Sequence, residues 1–236
     1  MTDNEREELL LKAKPILFNT EMVRSILDGR KTVTRRIVKN NPEECTSKVV
    51  NGVCKICDDK GGFYLPDDYV KVRSPYQVGD ILYVRETWSE VETVYGVPYY
   101  IYKADDKNGM HSSKSNFSRW FPSIHMPKEV ARIFLRVTNV RVEKLQEITE
   151  DDIVDEGAEK LILCPNEHGV IEPDGTLGDM CWNAGCCGGN CKYIDKSYGE
   201  LFGEIVWDST IKKSDLDKYG WNANPFVWVI EFERIG

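Results

Sequence analysis

Four cations and two hydroxyl side chains lie within eight consecutive residues, 29–36, of this 236-residue chain. Amide hydrolysis needs a nucleophile, a base that takes its proton, and donors that stabilise the developing oxyanion. A threonine and a lysine can supply the first two, as in serine–lysine hydrolases, provided that the lysine is held without its proton. The same donors could instead bind a polar ligand without changing it. The side chains concerned are Arg30, Lys31, Thr32, Thr34, Arg35 and Arg36.

Strand geometry predicts which of these side chains act together. Because alternate residues of a strand share a face, Thr32, Thr34 and Arg36 should point one way. Lys31, at the junction between a helix and this strand, can lean over the same face. The simpler interpretation is a solvated basic edge beside an acidic surface, and the segment alone does not decide between the two.

Local patterns predict the helices that position this segment. Thr20 is a suitable N-cap for a helix with an apolar stripe over residues 22–27, and Gly29 suits the C′ position at its end. Farther along the chain, Thr149 and Asp152 form a capping box that begins a short acidic helix ending near Gly157. Two further helical patterns cover residues 5–12 and 201–212.

Apolar patterns with a period of two predict the strands. They cover residues 16–18, 37–38, 81–85, 133–142 and 226–235, with a hairpin over 91–103. Residues 40–62 and 105–128 are predicted as loops, and 163–193 as a Gly- and Cys-rich insertion with little secondary structure. No internal repeat and no linker between two domains is visible.

Composition limits the class of protein. Apolar residues make up 41% of the chain, which is enough for a core, and the net charge is −8. Because affinity for a phosphate backbone depends on cations, we expect no general binding of double-stranded DNA, and any nucleic-acid contact should use a local basic patch or a single base. The N-terminus lacks an export signal, and no apolar run approaches the roughly 20 residues that cross a bilayer. We therefore expect a cytoplasmic protein that does not contact membranes.

The cysteines offer a second candidate site. In the cytoplasm the eight cysteines should be reduced or metal-bound. One pair has the C-x-x-C spacing of half a structural zinc site, and a later cluster could supply the other half, although it lacks that clean spacing. The alternative is a set of free thiols in two surface loops. The candidate metal ligands are Cys54, Cys57, Cys181, Cys186, Cys187 and Cys191.

Four segments, in order along the chain, resemble the ASCH domains of the PUA-like superfamily. Residues 29–36, Gly-Arg-Lys-Thr-Val-Thr-Arg-Arg, are similar to the signature of these domains, and 78–84 resemble their glycine–aspartate turn into a barrel strand. Residues 137–156 are similar to a long strand followed by an acidic helix, and 229–232 to a closing strand. The sequences Arg85-Glu86-Thr87-Trp88 and Gly220-Trp221 resemble a longer form of the domain that is found in phages and prophages.

The resemblance implies an α+β fold. The core would be a small, mostly antiparallel PUA-like β-barrel with flanking helices and a polar cleft at one mouth. A single domain would cover residues 14–236, preceded by an N-terminal extension over 1–13. Large loop insertions would fall at about 40–75, 86–128 and 160–222.

The resemblance also implies a function for that cleft. Relatives bind RNA, a nucleoside or a modified base, so we expect such a ligand around Lys31, Thr34 and Arg36, with Arg30 and Thr32 beside them. Alternatively, the chain could be an amidohydrolase that removes an acyl group from an N4-acylated cytidine or a similar small amide. The catalytic residues would then be Thr34 as nucleophile, Lys31 as base and Glu156 as the group that activates water.

A third hypothesis is a zinc-stapled interaction protein that keeps the fold without the ligand chemistry. None of the three hypotheses requires a cofactor, and a structural zinc ion is the metal that the cysteine pattern favours.

Overall fold

The structure is a computed structural model. It describes residues 3–39, 43–50, 53–57, 63–64, 66–92, 95–96, 98–111, 117, 119–157, 161–162, 170–171, 177–178 and 197–235. Runs of consecutive strands, such as those within residues 43–64 and 81–102, are interspersed with helices along the chain, which confirms the α+β class. The α-helices are α1 (Asp3–Lys12), α2 (Thr20–Leu27), α3 (Pro66–Arg73), α4 (Glu150–Asp155), α5 (Tyr198–Leu201), α6 (Asp208–Thr210) and α7 (Leu216–Tyr219). No helix among these described residues is both long and apolar enough to cross a membrane.

Most of the longer strands belong to one sheet. The strands are β1 (Lys14–Leu17), β2 (Val33–Ile37), β3 (Glu43–Val50), β4 (Val53–Cys57), β5 (Phe63–Tyr64), β6 (Ile81–Arg85), β7 (Trp88–Glu92), β8 (Pro98–Tyr102), β9 (Phe134–Lys144), β10 (Leu161–Ile162), β11 (Val170–Ile171), β12 (Leu177–Gly178) and β13 (Phe226–Arg234). The five-stranded sheet has the order β1-β6-β9-β13-β2, with β1 parallel to β6 and β6 antiparallel to β9. The predicted hairpin is confirmed as β7 and β8.

The chain divides into two compact units, and each is made of separate segments. Unit 1 comprises residues 1–32, 76–139 and 231–236, and unit 2 comprises residues 33–75 and 140–230. The division passes between Thr32 and Val33, within the segment that carries the candidate chemistry.

Each unit has its own apolar cluster. In unit 1, side chains from α1, β7, β9 and the segment before β9 pack together, namely Leu10, Trp88, Met126, Val130, Ala131 and Phe134. In unit 2, β2 and β13 contribute to a cluster with α4 and the residues that follow α5. Its buried members are Val33, Leu145, Ile153, Leu201, Phe202, Trp207, Trp221, Val227 and Val229.

Two predictions about local structure are wrong. Residues 40–62 were expected to be a loop, but β3 and β4 pair as antiparallel strands there. The β-branched residues of this segment, such as Val49 and Ile56, outweigh its scattered glycine and asparagine. The N-cap of α2 is Asn19 rather than Thr20, because the Asn19 side chain accepts the hydrogen bond from the Met22 N–H at 2.8 Å.

The predicted helix over 201–212 contains a six-residue π-helical segment, Phe202–Trp207, between α5 and α6. Gly203 lies in this segment, directly under the indole ring of Trp221. A Cβ atom at Gly203 would lie 2.0 Å from a ring carbon of Trp221, whereas one at Gly199 would lie at an ordinary 3.8 Å. The absence of a side chain at Gly203 therefore allows Trp221 to enter the core of unit 2.

We predict that Gly203→Ala lowers the free energy of unfolding by about 2 kcal/mol, because the new methyl group forces the Trp221 ring out of its position. The matched control is Gly199→Ala, which should be neutral or slightly stabilising because alanine favours a helix. Urea unfolding of both variants measures the difference. Equal stability of the two variants would contradict the close contact.

Candidate functional site

The candidate segment begins where α2 ends. Gly29 has a φ of +78°, so the chain turns there in the left-handed region, and the predicted role of Gly29 at the helix end is confirmed. The backbone N–H groups of Arg30 and Lys31 both donate to the Ser25 carbonyl, at 2.9 and 3.1 Å. The Arg30 guanidinium donates to the Ser25 hydroxyl at 3.2 Å and to Asp28 at 3.1 Å. Arg30 thus fastens the turn to the end of α2.

Lys31 lies in unit 1 and is buried, with 2% of its surface exposed. Its Nζ atom is 5.7 Å from the centroid of the Phe18 ring, a distance at which an ammonium group is attracted to an aromatic face. The Phe232 N–H donates to the Thr32 carbonyl at 2.8 Å, so the residue after Lys31 is already tied to β13.

The segment is not a solvated basic edge, so that interpretation is wrong. Lys31, Thr34 and Arg35 are 2%, 2% and 5% exposed, and Arg36 is half-buried. Charged and hydroxyl groups lose free energy on leaving water unless other polar groups replace the lost hydrogen bonds. The charges in this segment therefore require partners inside the protein.

Within unit 2, three carboxylates surround the Arg35 guanidinium. Its Nη2 atom lies 2.9 Å from Glu143 Oε1 and 3.2 Å from Asp152 Oδ2, and its Nη1 atom lies 3.4 Å from Glu156 Oε1. Glu143 belongs to β9, Asp152 to α4, and Glu156 is the C-cap of α4. One buried cation thus links β2 to β9 and to both ends of α4.

A second arginine and a capping box complete this network. Arg141 donates to Glu143 at 3.0 Å and to Asp152 at 3.0 Å. The Thr149 N–H and hydroxyl both donate to Asp152, at 3.1 and 2.8 Å, and the Asp152 N–H donates back to the hydroxyl at 3.2 Å, which confirms the predicted capping box. Burial acts to raise the pKa of Asp152, but these Thr149 hydrogen bonds and the Arg35 charge outweigh it and hold the pKa below its usual value.

The strand alternation separates Arg35 from Thr34. Val33 and Ile153 of α4 both belong to the unit 2 core, and Arg35, two residues after Val33, shares the Val33 face of β2. Thr34 points to the opposite face of β2. Because Arg35 contacts Glu156, the end of α4 lies beside β2, the strand that carries Thr34. It lies on the Val33 face of that strand, opposite to the Thr34 side chain.

Arg35 was missed as a site residue, although the sequence contained a signal for it. Val33 and Ile37 both pack against the unit 2 core, so Arg35 lies midway between two apolar residues of one strand face. A charged residue in such a position is predicted to be buried, and a buried arginine needs carboxylate partners.

Glu86 in unit 1 is a second buried charge to which no role was assigned. It accepts hydrogen bonds from Nε and Nη2 of Arg132 at 2.9 and 3.1 Å, and Arg132 also donates to Asp105 at 2.6 Å. The guanidinium carbon lies 3.9 Å from the ring centroid of Tyr102. Burial raises the pKa of Glu86, and the opposing effect of Arg132 is smaller. Arg132, just before β9, thus links Glu86, before β7, to Asp105, after β8.

The predicted metal ligands fall mostly outside the described residues. Cys54 and Cys57 lie in β4, whereas Cys181, Cys186, Cys187 and Cys191 lie outside the residues that the structure describes. Within the described part of the chain, no three or more His, Cys, Asp and Glu side chains are grouped so that they could hold a metal ion. The structural zinc site stays a prediction.

Comparisons with family models, curated proteins and solved structures found no match. The features of the described chain that bear on function are the contacts around Arg35 and the burial of Lys31, Thr34 and Arg35.

We predict that Asp152→Asn destabilises the protein by about 1 kcal/mol at pH 7, and that the loss disappears in acid. Because the pKa of Asp152 is lower in the folded than in the unfolded chain, its carboxylate stabilises the fold above about pH 4 and ceases to do so as the pH falls through the folded pKa. Urea unfolding at pH 7, 5 and 3 measures the difference from wild type. The matched control is Asp155→Asn, at an exposed position in the same helix, which should leave the stability at pH 7 close to that of wild type.

Proposed function

We propose that the chain recognises a nucleobase, nucleoside or RNA in a polar cleft around the segment that carries Lys31, Thr34 and Arg36. The proposal includes a PUA-like arrangement of the fold; what supports it is a five-stranded sheet with an antiparallel β6–β9 pair and with β2 at one edge. Within this proposal the cations act as donors to base carbonyl groups, and Thr34 acts as donor or acceptor.

The observation that carries the proposal is the burial of this polar segment. Six polar or charged residues of the described chain are buried, and three of them are Lys31, Thr34 and Arg35. Withdrawing such side chains from water costs free energy that exposed positions do not lose. Polar groups that are withdrawn from water and held in place are typical of sites that bind or transform a ligand.

The charge of the chain indicates which part of the ligand is recognised. A net charge of −8 opposes a long phosphate backbone, because binding to that backbone depends on the number of cations that neutralise it. A neutral base or nucleoside carries no such penalty. Arginine and lysine recognise base carbonyls through directed hydrogen bonds, and this recognition needs only the few cations that the segment supplies.

We predict that the protein binds at least one nucleoside from a panel of cytidine, N4-acetylcytidine, uridine, adenosine and guanosine. Lys31→Met and Arg36→Gln should each weaken this binding at least about tenfold, because each removes a donor worth about 1.4 kcal/mol. Titration followed by calorimetry or by NMR measures the affinity.

The matched control for these variants is Arg136→Gln in β9, whose guanidinium forms an exposed ion pair with Glu233 at 3.0 Å. It should bind as wild type does. If the wild type binds no nucleoside of the panel, or if Lys31→Met and Arg36→Gln both bind normally, the proposal is wrong.

A second candidate function is hydrolysis of an acylated nucleoside, and the burial of Lys31 favours it. A lysine with 2% exposure is rare, and buried lysines are often used as bases because burial disfavours their charge. In this reaction the Lys31 amine would take the proton of the Thr34 hydroxyl as the oxygen attacks the amide carbon of N4-acetylcytidine. Cytidine would leave with that proton on N4, and water would then cleave the acyl-threonine ester to give acetate.

If this candidate is correct, wild type should release cytidine and acetate in equal amounts from N4-acetylcytidine, as measured by chromatography. Thr34→Val and Lys31→Met should each lower the rate at least about a hundredfold, because the attack needs both the hydroxyl and its base. Thr34→Val should still bind the substrate. Binding without any release by wild type would exclude hydrolysis and leave recognition as the function.

A further inference from the structure

β2 and β13 are neighbours in the five-stranded sheet, and two backbone hydrogen bonds fix their register. The Val38 N–H donates to the Phe226 carbonyl at 3.0 Å, and the Phe232 N–H donates to the Thr32 carbonyl at 2.8 Å. The residue after β2 is thus bonded to the first residue of β13, and the residue before β2 to a later one. The two strands therefore run antiparallel.

This register puts an indole ring beside the polar side chains of β2. Arg36 lies opposite Trp228, and Thr34 lies opposite Ile230. Residues directly opposite each other in an antiparallel pair share a face, with Cβ atoms about 5 Å apart. Val227 belongs to the unit 2 core, so Trp228, the next residue, lies on the other face of the sheet, which is the face of the two polar side chains.

The indole ring of Trp228 is covered by α3. The ring of Tyr69 stacks on it, with centroids 5.5 Å apart and an interplanar angle of 17°. Both residues are 4% exposed. The other ring pairs between described residues are inclined by 33° or more. A near-parallel stack is the arrangement that a nucleobase adopts on an aromatic side chain.

The contact of α3 with the sheet depends on few side chains. Among the eight residues of α3, all of which the structure describes, Tyr69 is the one that is buried. Asp67, Asp68, Lys71 and Val72 are exposed. A helix of this length is marginal by itself in water and depends on its packing contacts. Displacing the Tyr69 ring would therefore remove a large part of what holds α3 against β13, and would uncover the indole.

We infer that Trp228 is the surface on which the base of the bound nucleoside stacks, and that Tyr69 occupies this surface in the free protein and is displaced when the nucleoside binds. This inference rests on the proposed function, to which it adds a stacking contact and a self-inhibitory one. A phenol ring and a pyrimidine ring are both flat and six-membered, so the space that Tyr69 fills suits a pyrimidine base. A base stacked there presents its edge to Arg36 and Thr34, which can donate hydrogen bonds to its carbonyl groups.

Competition between Tyr69 and the base then sets the affinity. A ligand that binds only the uncovered protein has an apparent affinity reduced by the fraction of molecules in that state. If Tyr69 covers Trp228 in at least about nine-tenths of the molecules, removing the phenol ring strengthens binding at least about tenfold. A tyrosine that only supports the fold gives no such gain, because its removal leaves the site equally accessible or less well formed.

The test is the affinity of the same five nucleosides, measured by calorimetry, for variants of both rings. Tyr69→Ala should lower the urea midpoint and yet bind at least about tenfold more tightly than wild type. Trp228→Leu should bind at least about tenfold more weakly, because an aliphatic side chain cannot stack on a base. In the double variant the gain from Tyr69→Ala should disappear, since no indole ring is left to uncover.

Two controls separate stacking from stability. Tyr69→Phe keeps the stacked ring and should bind as wild type does. Val227→Ala removes a buried side chain from the opposite face of β13, so it should lower the urea midpoint and keep the affinity. If Tyr69→Ala does not fold, Tyr69→Leu, which keeps apolar bulk without a ring, decides in its place. If Trp228→Leu does not fold, the direction of the change in the Tyr69 variants decides.

Two results would overturn the inference and leave the proposed function intact. The first is an affinity of folded Tyr69→Ala, or of Tyr69→Leu in its place, that is equal to or weaker than that of wild type. The second is wild-type affinity in folded Trp228→Leu. A wild type that binds no nucleoside removes the proposed function and this inference together.

Discussion

The constraint on which unit 2 depends is the burial of one guanidinium. Arg35 brings a full positive charge into a strand face that is otherwise apolar, and a buried charge is tolerated only when opposite charges and hydrogen bonds replace the lost water. Glu143 and Asp152 supply these at 2.9 and 3.2 Å, and Glu156 adds a third carboxylate. Because these residues lie on β9 and at the two ends of α4, satisfying the charge also determines where β9 and α4 lie against β2.

The same network also stabilises the first turn of α4. Asp152 serves the helix as part of the capping box with Thr149 and serves the core as a partner of Arg35. The helix start and the buried ion pair therefore depend on one carboxylate. Arg141 Nη2 donates to the other oxygen of that carboxylate, Asp152 Oδ1, at 3.0 Å. A local capping signal and a long-range charge contact thus stabilise one another.

The side chains of β2 alternate between its two faces, so Thr34 and Arg35 cannot contact the same partners. Arg35 is turned to the carboxylates of unit 2, and Thr34 is turned away from them. A catalytic pairing of Thr34 with Glu156, on opposite faces of β2, is therefore harder to build than a recognition site that uses Thr34 without Glu156. This is the physical reason for preferring recognition over hydrolysis.

Short-range signals in the sequence determined much of the local structure. The turn at Gly29, the capping box of Thr149 and Asp152, the β7–β8 hairpin and the strands β6, β9 and β13 follow from residues within a few positions of one another. Where two neighbouring residues could serve the same purpose, as Asn19 and Thr20 could at the start of α2, only the folded helix decided between them. Tertiary structure also decided which cations of residues 30–36 are buried and which carboxylates meet Arg35, because those partners lie more than a hundred residues away and sequence spacing carries no information about such distances.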